Sequence, residues 1–155
     1  MAEAAAGPQA RAMLGQVLVG GIVSACNIAI HSLVMSLVVH VSRMTYAKVG
    51  ARAVLRLARV MIGAVLVLMA AHVAEVLIWA LAYRLTGAVP DVSRLVYFAF
   101  VNYTTLGYGD ITPIREWEML GPLTAMNGVI LFGWSTAVIF AVLQKTLEGP
   151  PGAQA

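Results

Sequence analysis

Apolar residues run almost unbroken over Val17–Val41, Val60–Ala82 and Met119–Leu143. About 20 helical residues suffice to cross a hydrocarbon core, so each run predicts a transmembrane helix. The first and third runs carry no charge, and the second carries only Glu75. A fourth apolar patch, Leu95–Val101, is too short to span and predicts a re-entrant half-helix. Asp91 or Ser93 in front of it is a cap-type residue, and behind it comes the glycine-bearing stretch Thr104-Thr105-Leu106-Gly107-Tyr108-Gly109-Asp110. A helix of about 12 residues rises about 18 Å, roughly half the bilayer, so the chain must return extended. Bare backbone at that depth is tolerated only where it lines a watery path.

The pattern predicts an all-α membrane protein with three transmembrane helices and one re-entrant helix. It divides the chain into a loose amino-terminal segment at 1–13, a peripheral transmembrane helix at 14–42, a linker at 43–59, a helix–loop–helix module at 60–146 and a loose tail at 147–155. Within the module, an outer helix covers 60–83, a short helix 92–103, an extended loop 104–110 and an inner helix 118–146.

Composition agrees. Of 155 residues, 61% are hydrophobic and 11% charged, where a soluble domain carries about a quarter charged. The apolar content also excludes a disordered chain. The linker holds Arg43, Lys48, Arg52, Arg56 and Arg59 with no acid, whereas Arg84, Asp91, Arg94, Asp110, Arg115, Glu116 and Glu118 flank the re-entrant patch. By the positive-inside rule the linker is cytoplasmic. The amino terminus and the re-entrant region then lie outside and the carboxyl terminus inside, in a multi-pass protein of the cell membrane. Arg52, Arg56 and Arg59 serve as this topology signal or, lying on one helical face, meet anionic membrane lipid. No voltage sensor is expected, since that needs arginines in series inside a membrane helix, and no nucleic-acid partner is expected. Val23-Ser24-Ala25-Cys26 has the look of a lipoprotein cleavage box, but only Arg11 precedes the run and apolar residues continue to Val41, so the segment is expected to stay as a helix with Cys26 as a packing residue.

Glycines at alternate positions in an extended loop allow positive φ and bring successive carbonyls to one side. Several such ladders about an axis would replace the water around a weakly hydrated cation, and the negative end of each short helix would favour positive charge beneath. One copy makes no ring, so function requires a rotationally symmetric oligomer.

Thr105-Leu106-Gly107-Tyr108-Gly109-Asp110 resembles the Thr-Val-Gly-Tyr-Gly-Asp selectivity filter of the potassium channel pore-loop family, in the helix, pore-loop, helix arrangement of bacterial two-helix pores. The resemblance covers about residues 60–145. Pro113 and Trp117 stand at familiar distances after the aspartate, and Gly128-Val129-Ile130-Leu131-Phe132-Gly133 is similar to the glycine-containing bend of bacterial inner helices. The resemblance implies a homotetramer, with Thr105, Leu106, Gly107, Tyr108 and Gly109 forming the filter and the first four of these binding potassium as permeant ligand, without other cofactor. Tyr108 would turn from the ions to pack on the pore helix at 92–103, and Asp110 would concentrate cations at the outer mouth. Asn127, Gly128, Val129, Phe132, Gly133 and Thr136 would supply the cavity and gate, with Gly128 or Gly133 as hinge. The sequence departs from the family pattern at Leu106, in place of Val or Ile, at Tyr97 and Phe98, in place of a Trp pair, and at Val101, where some members carry a Glu that holds the aspartate. These departures bear on filter rigidity and on selectivity against sodium.

Glu75 is costly inside the membrane and needs a partner or a proton. Counted at about 1.5 Å per residue from the cytoplasmic ends of their spans, Asn27 and Glu75 fall at matching depth, as do His31 and His72. The four are expected to form an intramembrane polar cluster, serving as helix glue through hydrogen bonds, as a pH sensor or as a metal site. Asn127 either faces the cavity or packs on a neighbouring helix. Trp79, Tyr83, Trp117 and Tyr46 fit aromatic belts, and Trp134 fits packing. No enzyme is expected, because neither a nucleophile elbow nor a zinc-protease pattern is present. Three functions stand: a potassium-selective channel, a weakly selective monovalent cation channel, and a non-conducting accessory membrane subunit.

Overall fold

The computed structural model describes residues 2–44 and 53–148. Four α-helices follow in chain order: α1 (Ala2–Met44), α2 (Ala53–Thr86), α3 (Leu95–Tyr103) and α4 (Leu120–Glu148), with 3-10 turns at Val92–Arg94 and Arg115–Trp117. The fold is all-α, with no strand among the described residues. Three segments are long and apolar enough to span a bilayer, Ala10–Ser42, Leu57–Thr86 and Arg115–Gln144, so the chain is a multi-pass membrane protein.

The helices reach beyond the expected bounds. α1 begins at Ala2 where a loose segment at 1–13 is expected, in keeping with an alanine-rich start, alanine being the best helix former. α2 begins at Ala53, inside the expected linker at 43–59, because Ala, Leu and Arg favour helix and nothing between Ala53 and Arg59 breaks it. Arg59 lies on that helix, with Nε donating to the Leu55 carbonyl at 3.2 Å. Lys48, Arg52 and Tyr46, and the tail after Glu148, lie outside the described residues. α2 stops at Gly87, whose φ of 65° suits glycine. Ala88 N–H donates to the Tyr83 carbonyl at 3.2 Å and Gly87 N–H to that of Arg84 at 3.3 Å, the paired bonds of a Schellman stop. Asp91 caps the 3-10 turn ahead of α3, its Oδ1 accepting from Ser93 N at 3.0 Å and from Ser93 Oγ at 2.6 Å, while α3 itself starts at Leu95 behind Arg94 without a side-chain cap.

The chain forms two compact units, Met1–Ile28 with Val73–Leu131, and Ala29–His72 with Phe132–Ala155. In the second, Met35, Val38, Ala64, Leu68 and Val142 are buried together, with Val34, Val60, Met61, Val138 and Ile139 packed against them. In the first, the early part of α1 lies on the start of α4. A Cβ on Gly20 would come within 2.5 Å of Leu123 Cδ1, and Gln16 Oε1 accepts from Met119 N at 2.8 Å, satisfying one of the donors that a helix start leaves open. α2 is pinned to α4 through the Tyr83 hydroxyl, which donates to the Leu120 carbonyl at 3.3 Å and lies 2.5 Å from the Thr124 hydroxyl. The Tyr83 ring meets Phe98 of α3 edge-on, centroids 4.8 Å apart. Trp79 and Tyr83 are therefore fully buried and do not sit in an aromatic belt. Each has a polar tip that finds a partner inside the protein rather than at a lipid headgroup.

Candidate functional site

The loop after α3 grows directly from its last turn. Thr104 N–H and Oγ1 both donate to the Phe100 carbonyl, at 2.9 and 2.7 Å. Thr105 N–H donates to Asn102 O at 2.9 Å, and Leu106 and Gly107 N–H donate to Val101 O at 2.9 and 3.3 Å. Carbonyls that a helix end leaves without intrahelical partners thus fix the first residues of the loop. From there every second residue lies in left-handed space: Thr105 at φ 60°, Gly107 at 56° and Gly109 at 72°. Left-handed residues at alternate positions gather successive amides on one side, as the shared Val101 acceptor of Leu106 and Gly107 N–H shows. Glycine holds such angles freely and threonine at a cost, a cost of the kind found at functional sites.

Thr104 through Asp110 are all exposed. Tyr108 is 66% exposed, so the packing of its ring on a pore helix is not made within the chain. Asp110 accepts from Arg94 Nη2 at 2.8 Å, and the Arg94 guanidinium lies 4.8 Å from the centre of the Tyr97 ring. Burial pushes the Asp110 carboxyl up, but hydrogen bonds from Arg94 and Tyr97 outweigh it and hold the group below the ordinary carboxylate range. The Tyr97 phenol is pushed up by burial and by that carboxylate. Arg94 is thus the partner that holds Asp110, and Val101 is buried and offers its carbonyl to the loop. Arg94 ends the 3-10 turn that leads into α3, three residues before Tyr97.

Residues of the expected polar cluster fall in both compact units. In the first unit, Asn27 and Glu75 are both completely buried. Asn27 Nδ2 donates to the Glu75 main-chain carbonyl at 3.3 Å and to Asn127 Oδ1 at 3.1 Å, and Trp79 Nε1 donates to the same Asn127 oxygen at 3.0 Å. The Glu75 carboxylate accepts from the hydroxyl of Tyr103, the last residue of α3. Neither Trp79, which by sequence fits an aromatic belt, nor Tyr103 was expected in this set. In the second unit, the His31 and His72 rings lie 5.2 Å apart. The Ser135 hydroxyl sits 3.0 Å from His72 Nε2 and 3.3 Å from His31 Nε2, and Trp134 packs on His31 at 5.5 Å.

The inner-helix residues also divide. Asn127, 2% exposed, takes the packing role of its two alternatives. Gly128 is buried where a Cβ would stand 2.0 Å from the Tyr103 carbonyl oxygen, so it is a close-approach glycine and not a free hinge. Val129 is exposed. In the second unit, Phe132 is half-buried with its ring 4.7 Å from His72, Gly133 and Thr136 are exposed, and the Thr136 hydroxyl returns to the Phe132 carbonyl at 2.9 Å. α4 is continuous through both glycines.

A family model described as "Ion channel" matches residues 71–145, taking in the end of α2, the short helix, the loop and nearly all of α4. No curated protein and no solved structure matches the chain.

Proposed function

We propose that the protein is a potassium-selective channel working as a homotetramer, in which passive conduction runs through a ring of four 104–110 loops, a reading supported by the match of residues 71–145 to a family model described as "Ion channel". The alternation of positive φ at Thr105, Gly107 and Gly109 in a fully exposed loop carries the reading. Polar backbone in a membrane protein demands partners, and backbone carbonyls suit a partially dehydrated monovalent cation. Thr105, Leu106, Gly107 and Tyr108 are the ion-binding residues. Exposure of Leu106 and Tyr108 in the single chain fits their burial against neighbouring copies, and Asp110 at the rim adds negative charge. Arg52, Arg56 and Arg59 face the cytoplasm near anionic lipid, with the amino terminus outside and the carboxyl terminus inside.

The test is a flux assay on the full-length protein in liposomes, with potassium and sodium in turn, together with mass determination in detergent. Potassium flux from a particle of four chains is expected, and Gly107→Ala, strained at φ 56°, abolishes it. A folded single-chain particle without flux refutes the proposal and leaves the accessory-subunit reading. Leu106 in the filter favours a second reading, a weakly selective monovalent cation channel, which the reversal potential in mixed salts decides.

A further inference from the structure

We propose that Glu75 is a positioning residue for the filter, acting through Tyr103, and that Asn27 makes the first helix part of the same brace. The inference rests on the channel reading above for its consequence, and on the contacts alone for its mechanics.

Tyr103 sits where placement matters. It ends α3 and leads into Thr104 and Thr105, the first left-handed residue of the loop. Its carbonyl is pressed against Gly128 of α4, its ring is 1% exposed, and its hydroxyl reaches the Glu75 carboxylate of α2. Both ends of the residue are therefore tied to different helices. The turn that carries Glu75 is tied in its own right, because its carbonyl accepts from Asn27 of α1, and the same amide joins α4 through Asn127. Trp79, one turn beyond Glu75, completes the set at the Asn127 oxygen. One polar network thus joins all four helices at the foot of the loop.

The network is expensive. A carboxyl group in mid-membrane costs several kcal/mol by typical scales. Asn27 Oδ1 and Asn127 Nδ2 are buried with no partner among the described residues, each a further cost. An all-apolar set would pack α1, α2 and α4 without these penalties. What it would lack is direction, because an apolar contact does not fix a ring and a carbonyl to a fraction of an ångström, whereas a buried hydrogen bond to a carboxylate does. Polar groups retained against their cost at the base of a strained loop fit a positioning role.

Full-length wild type, Glu75→Gln, Glu75→Leu, Tyr103→Phe and Asn27→Leu are reconstituted, and the potassium-to-sodium permeability ratio is read from reversal potentials. Glu75→Gln keeps an oxygen to accept from Tyr103 and holds the ratio within about twofold of wild type, while Glu75→Leu and Tyr103→Phe lower it by about tenfold, the scale of one buried hydrogen bond. Asn27→Leu lowers it too, and by less than an additive amount when combined with Tyr103→Phe. Particle mass stays unchanged, which a general loss of structure would not allow. Amide hydrogen exchange over 104–107 gives a readout independent of conduction: it rises in the Leu and Phe variants and not in Glu75→Gln. Unchanged ratios and unchanged exchange in Glu75→Leu overturn the inference, and so does a Glu75→Gln that behaves as Glu75→Leu. A wild type without flux refutes the channel reading alone, and the exchange data still decide the brace.

Discussion

Replacing Gly128 and Gly133 one at a time by alanine separates a packing glycine from an unconstrained one. A Cβ built on Gly128 lies 2.0 Å from the Tyr103 oxygen and 3.0 Å from its carbonyl carbon, while Gly133 has nothing within 4 Å of its position. Side-chain carbons do not approach closer than 3.0 Å, so Gly128→Ala forces α4 and the end of α3 apart by about 1 Å, a displacement of backbone that a packed interior resists. Tyr103 cannot yield, because its hydroxyl is held by Glu75 and its carbonyl is main chain. Overpacking costs about 1–3 kcal/mol, and alanine's better helix propensity returns at most about 1 kcal/mol. The expected net is a loss of about 1–2 kcal/mol for Gly128→Ala and a gain of up to about 1 kcal/mol for Gly133→Ala. Thermal unfolding of both variants in detergent, followed by circular dichroism, reads this as midpoints that move in opposite directions. A Gly128→Ala midpoint equal to or above that of wild type would refute the reasoning, and would restore Gly128 as a hinge whose substitution changes opening but not stability.

Three further outcomes follow from the geometry. The Asp110 carboxyl, held below its ordinary range against an opposing effect of burial, keeps its ion pair with Arg94 as pH falls past the usual carboxylate value of about 4. The contribution is fully present above that value and is lost only as pH falls through the depressed one. A carbon-detected titration of Asp110 reads the midpoint, Arg94→Gln raises it toward the ordinary value, and an unchanged midpoint in that variant counts against the pair. Gln16→Ala removes the acceptor for Met119 N–H at the start of α4 and costs about 1 kcal/mol, the value of a helix cap, read as a lowered unfolding midpoint. Tyr83→Phe removes the hydroxyl between α2 and α4 and costs about 1 kcal/mol. Because Thr124 Oγ1 also donates to Leu120 O at 2.8 Å, that threonine is not left bare and the loss stays small.

The spans were legible because in lipid the apolar run is itself the driving force and its length is set by the bilayer, and the three segments fall where Val17–Val41, Val60–Ala82 and Met119–Leu143 put them. Their ends were less legible. Alanine-rich and basic residues extend α1 to Ala2 and α2 to Ala53, and helix continuation past the apolar run leaves no hydropathy signal. The 104–110 loop was legible through glycine spacing, although Thr105 takes a left-handed angle that its residue type does not announce. Trp79 and Tyr83 were misplaced because distance from a span end says nothing about which way a side chain faces. Both turn inward to Asn127 and Thr124. Gly128 was misread because a glycine that lets two backbones meet and a glycine that lets one bend look the same in sequence.

Glu75 shows where counting depth succeeds and where it stops. Matching rise per residue correctly paired it with Asn27, but the amide reaches its main-chain carbonyl. The carboxylate instead meets the phenol of Tyr103, two positions before Thr105, the first left-handed residue of the loop. A ranking of intramembrane residues by charge overlooks tyrosine, whose ring reads as core and whose hydroxyl is the donor a buried carboxylate needs. The most costly side chain in the spans is therefore spent on the residue that leads into the loop. Were helix packing its only purpose, the cheaper solution of apolar residues at 27, 75 and 127 would serve as well, and the brace would have no reason to end at Tyr103 rather than at any other turn of α3.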